Sequence, residues 1–159
     1  MPAETRCESG IKEMVEGIVA ETGSARSDLI PILLRISTEC SYISEEAIRQ
    51  LSSCLRLPES EIFAVATFYH MLLTQAHGRH IVQFCESAPC HVAGGREIFQ
   101  ALKDLLGLKP GETSQDDRWT LFTTSCLGVC GIGPVVMVDT DIYGHVLPEQ
   151  LPAILENYR

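Results

Sequence analysis

The sequence predicts an α/β chain in two parts: an N-terminal four-helix bundle over residues 1–76 and a βαβββα domain over residues 77–159. Three observations carry this. Up to about residue 75, apolar side chains recur at helical spacing. Beyond Ala76-His77-Gly78, short β-branched runs alternate with only two helical segments. Gly, Pro and Asp mark the joints. With 159 residues, 45% of them hydrophobic and 21% charged, the chain can bury a real core as one ordinary domain or two small ones.

In the first part, Ile11, Met14, Val15, Ile18 and Val19 fall on one helical face, and Thr22-Gly23-Ser24 ends that helix. Ser27-Asp28 offers the N-cap of a second helix, with Pro31 in its first turn, where no intrahelical bond is forfeited. Leu29, Ile30, Leu33 and Leu34 are its expected buried side. Ser44, with Glu45 and Glu46 behind it, starts a third helix by placing acid at the positive end of the dipole. Its stripe is Ala47, Ile48, Leu51 and Leu55, and Leu57-Pro58 stops it. A fourth runs from about Glu59 through Ile62, Val65, Ala66 and Tyr69. These helices carry no catalytic constellation.

In the second part, Ile81–Phe84 reads as a strand and Gly94-Gly95 opens a helix through Ile98, Leu102, Leu105 and Leu106. Trp119–Thr124 and Val135–Val138 follow as strands, Tyr143–Val146 returns as a fourth, and Pro148 starts a last helix through Leu155. The helix joining the first two strands makes them parallel, and the Asp-rich turn makes the last two antiparallel. This is the order of a thioredoxin-like core. Pro134 stands before the third strand, where such folds often hold a cis proline, but X–Pro bonds are mostly trans and trans is expected.

Several function classes drop out. The longest mostly apolar run, Ile62 to Leu73, is too short to span a bilayer. MPAETRCESG has neither a signal core nor a transit-peptide bias, so a cytoplasmic location is expected. A net charge of −9 with no Lys/Arg cluster argues against nucleic acid. No G-x-G-x-x-G follows a strand, and Gly94-Gly95 reads as a helix entry, so the chain itself binds no dinucleotide.

Seven cysteines are many for a reducing compartment and odd for a disulfide framework, which points to metal or catalysis. Cys85 and Cys90 form a C-x4-C at the end of the first strand, and Cys126 and Cys130 a C-x3-C at the end of the second. Parallel neighbouring strands end on the same edge, so four sulfurs can converge there. Four thiolates suit an iron–sulfur cluster or a structural zinc. The glycines beside both pairs favour the cluster, because bare backbone can approach inorganic sulfide and aim N–H groups at it. Zinc and a metal-free site remain the alternatives. A thioredoxin-type pair needs C-x-x-C, which is absent, and a Rieske centre needs two histidines where only His91 adjoins a cysteine. His91 reads as a loop residue, and Cys7, Cys40 and Cys54 as buried or incidental thiols.

Taken with the helical part carrying Ala66-Thr67-Phe68-Tyr69, these motifs resemble the thioredoxin-like [2Fe–2S] family. That family comprises the small subunits of NADH dehydrogenases, cytoplasmic NAD-linked hydrogenases and formate dehydrogenases. Gly107-Leu108-Lys109-Pro110-Gly111, Leu127-Gly128, Gly133-Pro134-Val135-Val136-Met137 and Tyr143-Gly144…Pro148 extend the resemblance over nearly the whole chain. It implies one [2Fe–2S] cluster on Cys85, Cys90, Cys126 and Cys130, passing single electrons. It also implies a larger flavoprotein partner that binds FMN and NAD(P)H, with a further catalytic hydrogenase or dehydrogenase subunit. On this reading residues 1–76 are the docking piece, and the chain is a non-catalytic electron-transfer subunit of an oxidoreductase. Its compact build suggests a soluble hydrogenase-type complex, electron-bifurcating or not, with respiratory complex I and NAD-dependent formate dehydrogenase as alternatives.

Overall fold

The computed structural model describes residues 10–69 and 71–158. It divides into two compact units, one ending at Ala76 and the other beginning at His77. The first unit holds α1 (Ile11–Thr22), α2 (Leu29–Cys40), α3 (Glu45–Leu55) and α4 (Glu59–Phe68). Gly23 ends α1 at φ 128° and donates its N–H to Val19 O. Ser44 Oγ accepts the Ala47 N–H at 3.2 Å, the capping bond expected of a serine before α3 and worth about 1 kcal/mol. The four helices share one core of Val15, Ile18, Ile32, Leu33, Ile36, Leu51, Ile62, Ala66 and their neighbours.

Within that core α2 is turned from its expected face. Leu29 and Leu33 are buried, but Ile30 is 37% and Leu34 40% exposed, and Ile32, Ile36 and Cys40 complete the inward stripe. The reason lies further along the helix. From Leu29 the stripe continues through apolar Ile36 and Cys40, whereas the stripe through Ile30 and Leu34 runs into Ser37 and Thr38. Only the first can stay buried for the full length of the helix.

In the second unit β1 (His80–Cys85), β2 (Trp119–Thr124), β3 (Val136–Val138) and β4 (Asp141–Tyr143) form a sheet in the order β2-β1-β3-β4. β1 and β2 are parallel, and β3 is antiparallel to both β1 and β4. A single turn, α5 (Ala88–Cys90), follows β1, and the chain then winds through His91–Gly95, broken at Gly94, into α6 (Arg96–Leu106). α7 (Leu151–Glu156) ends the fold. Phe84, Ile98, Leu102, Leu121, Val136, Val138, Val146 and Leu151 fill the core of this unit. The result is a mixed helix-and-sheet architecture consistent with a thioredoxin-like fold.

Two details differ from expectation. The fourth strand is Asp141–Tyr143, not Tyr143–Val146, because Asp139 takes φ 53° and closes a tight turn that pairs Val138 with Asp141. The chain then leaves the sheet. His145 donates its N–H to Ile132 O at 2.7 Å and Val146 to Pro134 O at 3.3 Å. The Gly133–Pro134 bond is cis where trans was expected. At the opposite end of the sheet, His80 Nδ1 lies 2.8 Å from Asp139 Oδ2, and the Tyr158 hydroxyl donates to Asp141 Oδ2 at 2.6 Å. No helix among the described residues is long and apolar enough to cross a membrane.

Candidate metal centre

The parallel register fixes where the cysteines stand. Cys85, the last residue of β1, pairs with Thr124, the last of β2, and the Glu86 N–H donates to Thr124 O at 3.1 Å. Cys126 therefore follows two residues past the same edge. Cys90 closes α5, and the His91 N–H bonds Ser87 O at 3.0 Å to hold that turn. Cys130 opens a 3₁₀ turn to Ile132, held by the Gly133 N–H on Cys130 O at 3.2 Å.

The structure groups the four thiols as two pairs in contrasting surroundings. Cys85 and Cys90 are each 1% exposed and pack together with Val135. Cys126 and Cys130 are exposed, with their sulfurs 3.2 Å apart. The loops are stitched together by backbone. The Cys85 N–H donates to Val135 O at 3.3 Å, and the backbone amides of Leu127 and Val135 favour charge on the Cys85 and Cys90 sulfurs respectively. Leu127, Val129 and Val135 pack on the buried pair.

The environments push the thiols in different directions. Burial alone would raise Cys85, but the amides of Ser87 and Leu127 and the Cys90 thiol hold it below the usual cysteine range. Cys90 is pushed up by burial, then by its hydrogen bond to Cys85 and by the charges of Cys85 and Cys130, against the Val135 amide. Cys130 is pushed up first by the bond it shares with Cys126, then by burial and by the charges of Cys126 and Cys85. Charge on one pair is thus felt by the other.

The glycines do not contribute equally. Gly128 sits at φ 82°, a left-handed conformation that side chains resist, and from there its N–H reaches Cys126 Sγ at 3.4 Å. At Gly95 a Cβ would lie 2.6 Å from Cys90 O and 3.0 Å from the Phe84 ring, so helix and ligand loop approach too closely for any side chain. A Cβ on Gly131 would touch nothing.

The donor set fits a binuclear cluster. Four thiols in two pairs, with the Gly128 N–H on Cys126 Sγ and backbone amides that favour charge on Cys85 and Cys90, suit two irons that each take two thiolates. A structural zinc draws all four ligands to one point. His91 is exposed, with Nε2 3.5 Å from Arg96 Nη2. Cys40 is buried in the helical unit with its sulfur 3.6 Å from Met14 Sδ, and Cys54 is half-buried there, its thiol pushed up by burial. Cys7 lies outside the described residues. The Gly144–Val146 segment, read from sequence as strand, is instead a brace behind the second cysteine loop. A Cβ on Gly144 would fall 2.7 Å from Ile132 Cδ1, so that Gly was the signal of close approach.

Comparison with known proteins agrees with this geometry. The model of the thioredoxin-like [2Fe–2S] ferredoxin family matches residues 15–159. An NADH-quinone oxidoreductase subunit from Escherichia coli K12 is 36% identical over 148 residues, covering 93% of this chain and 89% of that protein. The corresponding protein of Salmonella typhimurium LT2 is 38% identical over 134 residues, covering 84% and 81%. Among solved structures, the NAD+-reducing [NiFe]-hydrogenase in its air-oxidized state superposes with a TM-score of 0.70 at 24% identity. That match covers 82% of this chain but 22% of the hydrogenase chain, and it shows a shared fold.

Proposed function

The chain belongs to the thioredoxin-like [2Fe–2S] ferredoxin family, and from that premise we propose that it is the electron-transfer subunit of an NAD(P)H-linked oxidoreductase complex. Cys85, Cys90, Cys126 and Cys130 hold its [2Fe–2S] cluster. FMN and NAD(P)H belong to a larger partner subunit, the helical unit is the docking piece, and the complex is cytoplasmic. The observation that carries the reading is the parallel β1–β2 register, which brings two sequence-distant cysteine pairs to one edge of the sheet, with Leu127 and Val135 packed against Cys85 and Cys90.

Bound there, the cluster supplies one-electron redox chemistry. The chain's own residues set its surroundings. Cys85 and Cys90 present thiolates in a pocket from which Leu127, Val129 and Val135 exclude water. The amides of Ser87, Leu127, Gly128 and Val135 favour charged sulfur. Cys126 and Cys130 lie on the solvent side, where a partner's redox group can approach.

For the complex itself, the NADH-quinone oxidoreductase relatives support a place beside an NADH-oxidising flavoprotein. The second reading is a hydrogenase-type complex, bifurcating or not, in line with the fold shared with the NAD+-reducing hydrogenase. Affinity purification from the native host separates the two: co-purification of a hydrogenase catalytic subunit would support the second and overturn the first. The cluster is tested on anaerobically purified chain. Visible absorption, two irons and two sulfides per chain, and an EPR signal on reduction are expected, each lost in Cys126→Ser or Cys130→Ser. A colourless chain with stoichiometric zinc would sink the proposal.

A further inference from the structure

Access divides the two thiol pairs that share the sheet edge. Cys85 and Cys90 are each 1% exposed and packed with Val135, Leu127 and Val129, out of reach of a water-borne reagent. Cys126 and Cys130 are exposed, and their sulfurs stand 3.2 Å apart. A disulfide bond is about 2.0 Å long, so they need close by only about an ångström to form one. The loop leaves room for that. Residues 125–129 belong to no helix or strand, and a Cβ on Gly128 or Gly131 would meet nothing within 4 Å. The Gly128 N–H, 3.4 Å from Cys126 Sγ, marks Cys126 as the attacking sulfur.

We propose that, before its cluster is loaded, the chain closes Cys126 and Cys130 into a reversible disulfide while Cys85 and Cys90 stay reduced, and that this bond gates loading. The oxidant is a small disulfide of the glutathione class. Cys126 attacks one of its sulfurs and expels the other as a thiolate. Cys130 then attacks the mixed disulfide at Cys126 and expels the second. The two released thiolates take up the two protons the cysteines lose, and the reagent gains two electrons. Excess small thiol runs the exchange backwards. The bond follows from the geometry of this chain alone, whereas its role as a gate rests on the cluster proposed above. A ligand must be a thiolate, so a sulfur held in a disulfide is withheld from iron. The buried half of the ligand set remains ready, and one exchange restores the other half.

The test uses the full-length metal-free chain, incubated anaerobically with oxidised glutathione, alkylated, and cut with trypsin after Arg79, Arg96 and Arg118. Peptide 80–96 then reports on Cys85 and Cys90, and peptide 119–159 on Cys126 and Cys130. Peptide 119–159 is expected two hydrogens lighter and unalkylated in at least tenfold excess, and peptide 80–96 alkylated at both cysteines. In denaturant the contrast should vanish. Cys130→Ala should keep glutathione on Cys126, because nothing expels it. The oxidised chain, freed of glutathione and offered a [2Fe–2S]-loaded scaffold protein without thiol, should gain visible absorption at least tenfold more slowly than the reduced chain. Dithiothreitol should restore the rate. A lasting glutathione adduct on the wild-type chain, or equal oxidation of both pairs in the folded chain, would overturn the disulfide. Equal loading of oxidised and reduced chain would overturn the gate. A reduced chain that gains no cluster fails the functional reading and the gate with it, while the peptide masses still judge the disulfide.

Discussion

The two cysteine loops meet at one edge of one sheet, yet they are built in opposite ways. The first, Cys85–Cys90, buries both of its cysteines, although Glu86, Ala88 and Pro89 between them are exposed, and it is wound into a helical turn pressed against Gly95 at the head of α6. The second, Cys126–Cys130, is exposed and owes its shape to backbone: the φ 82° of Gly128, the 3₁₀ turn at Cys130 and the brace from His145 and Val146. The difference assigns separate tasks to the two cysteine pairs. One loop is part of the hydrophobic core and forms with it, while the other is a lid of amides over it.

Five substitutions test that division. Cys90→Ser should abolish the cluster and also destabilise the metal-free chain by about 1–3 kcal/mol, because a hydroxyl replaces a buried thiol. Cys130→Ser should abolish the cluster at a cost below about 0.5 kcal/mol in denaturant unfolding of the metal-free chain. Equal costs would erase the distinction between core loop and lid. Next, Gly95→Ala must displace Cys90 O or the Phe84 ring and should cost roughly 1–3 kcal/mol with a lower iron content. Gly128→Ala keeps its N–H but adopts a strained φ, so about 1 kcal/mol is expected, against no measurable change for Gly131→Ala. A Gly131→Ala cost matching that of Gly128→Ala would show that loop flexibility, not φ, is what the lid needs.

The smallest effect lies at the far end of the sheet. Burial, then the hydrogen bonds to Asp141 and Tyr143, raise the Tyr158 phenol above its ordinary range. The fold thus favours the neutral phenol. Its contribution is complete below about pH 10 and is lost as pH rises toward the folded value. Tyr158→Phe should flatten the alkaline fall in unfolding free energy without altering iron content. A changed iron content would mean that the two ends of the sheet are not independent.

Much of this was legible in the residues. The α3 stripe and its Ser44 cap followed from spacing and chemistry, and the parallel pairing of β1 with β2 followed from the helix between them. That pairing placed two cysteine pairs at one edge. The inward face of α2 was harder, since its first half is apolar all round and only Ile36 and Cys40, a turn or two later, break the tie. β4 was misplaced because a single backbone angle at Asp139 sets where the hairpin closes. The backbone bonds around the cysteines, Gly128 N–H to Cys126 Sγ and Cys85 N–H to Val135 O, had no signal at all, because any residue can supply a backbone N–H.

The parallel register carries a last consequence, for biogenesis. His80 pairs with Trp119, so the two strands find one another across a long stretch of chain, the slow kind of contact in folding. Until they do, a nascent chain can offer a metal only two neighbouring thiols at a time. Loading of the cofactor therefore works as an inspection step: full occupancy is a chemical certificate that the sheet has been completed.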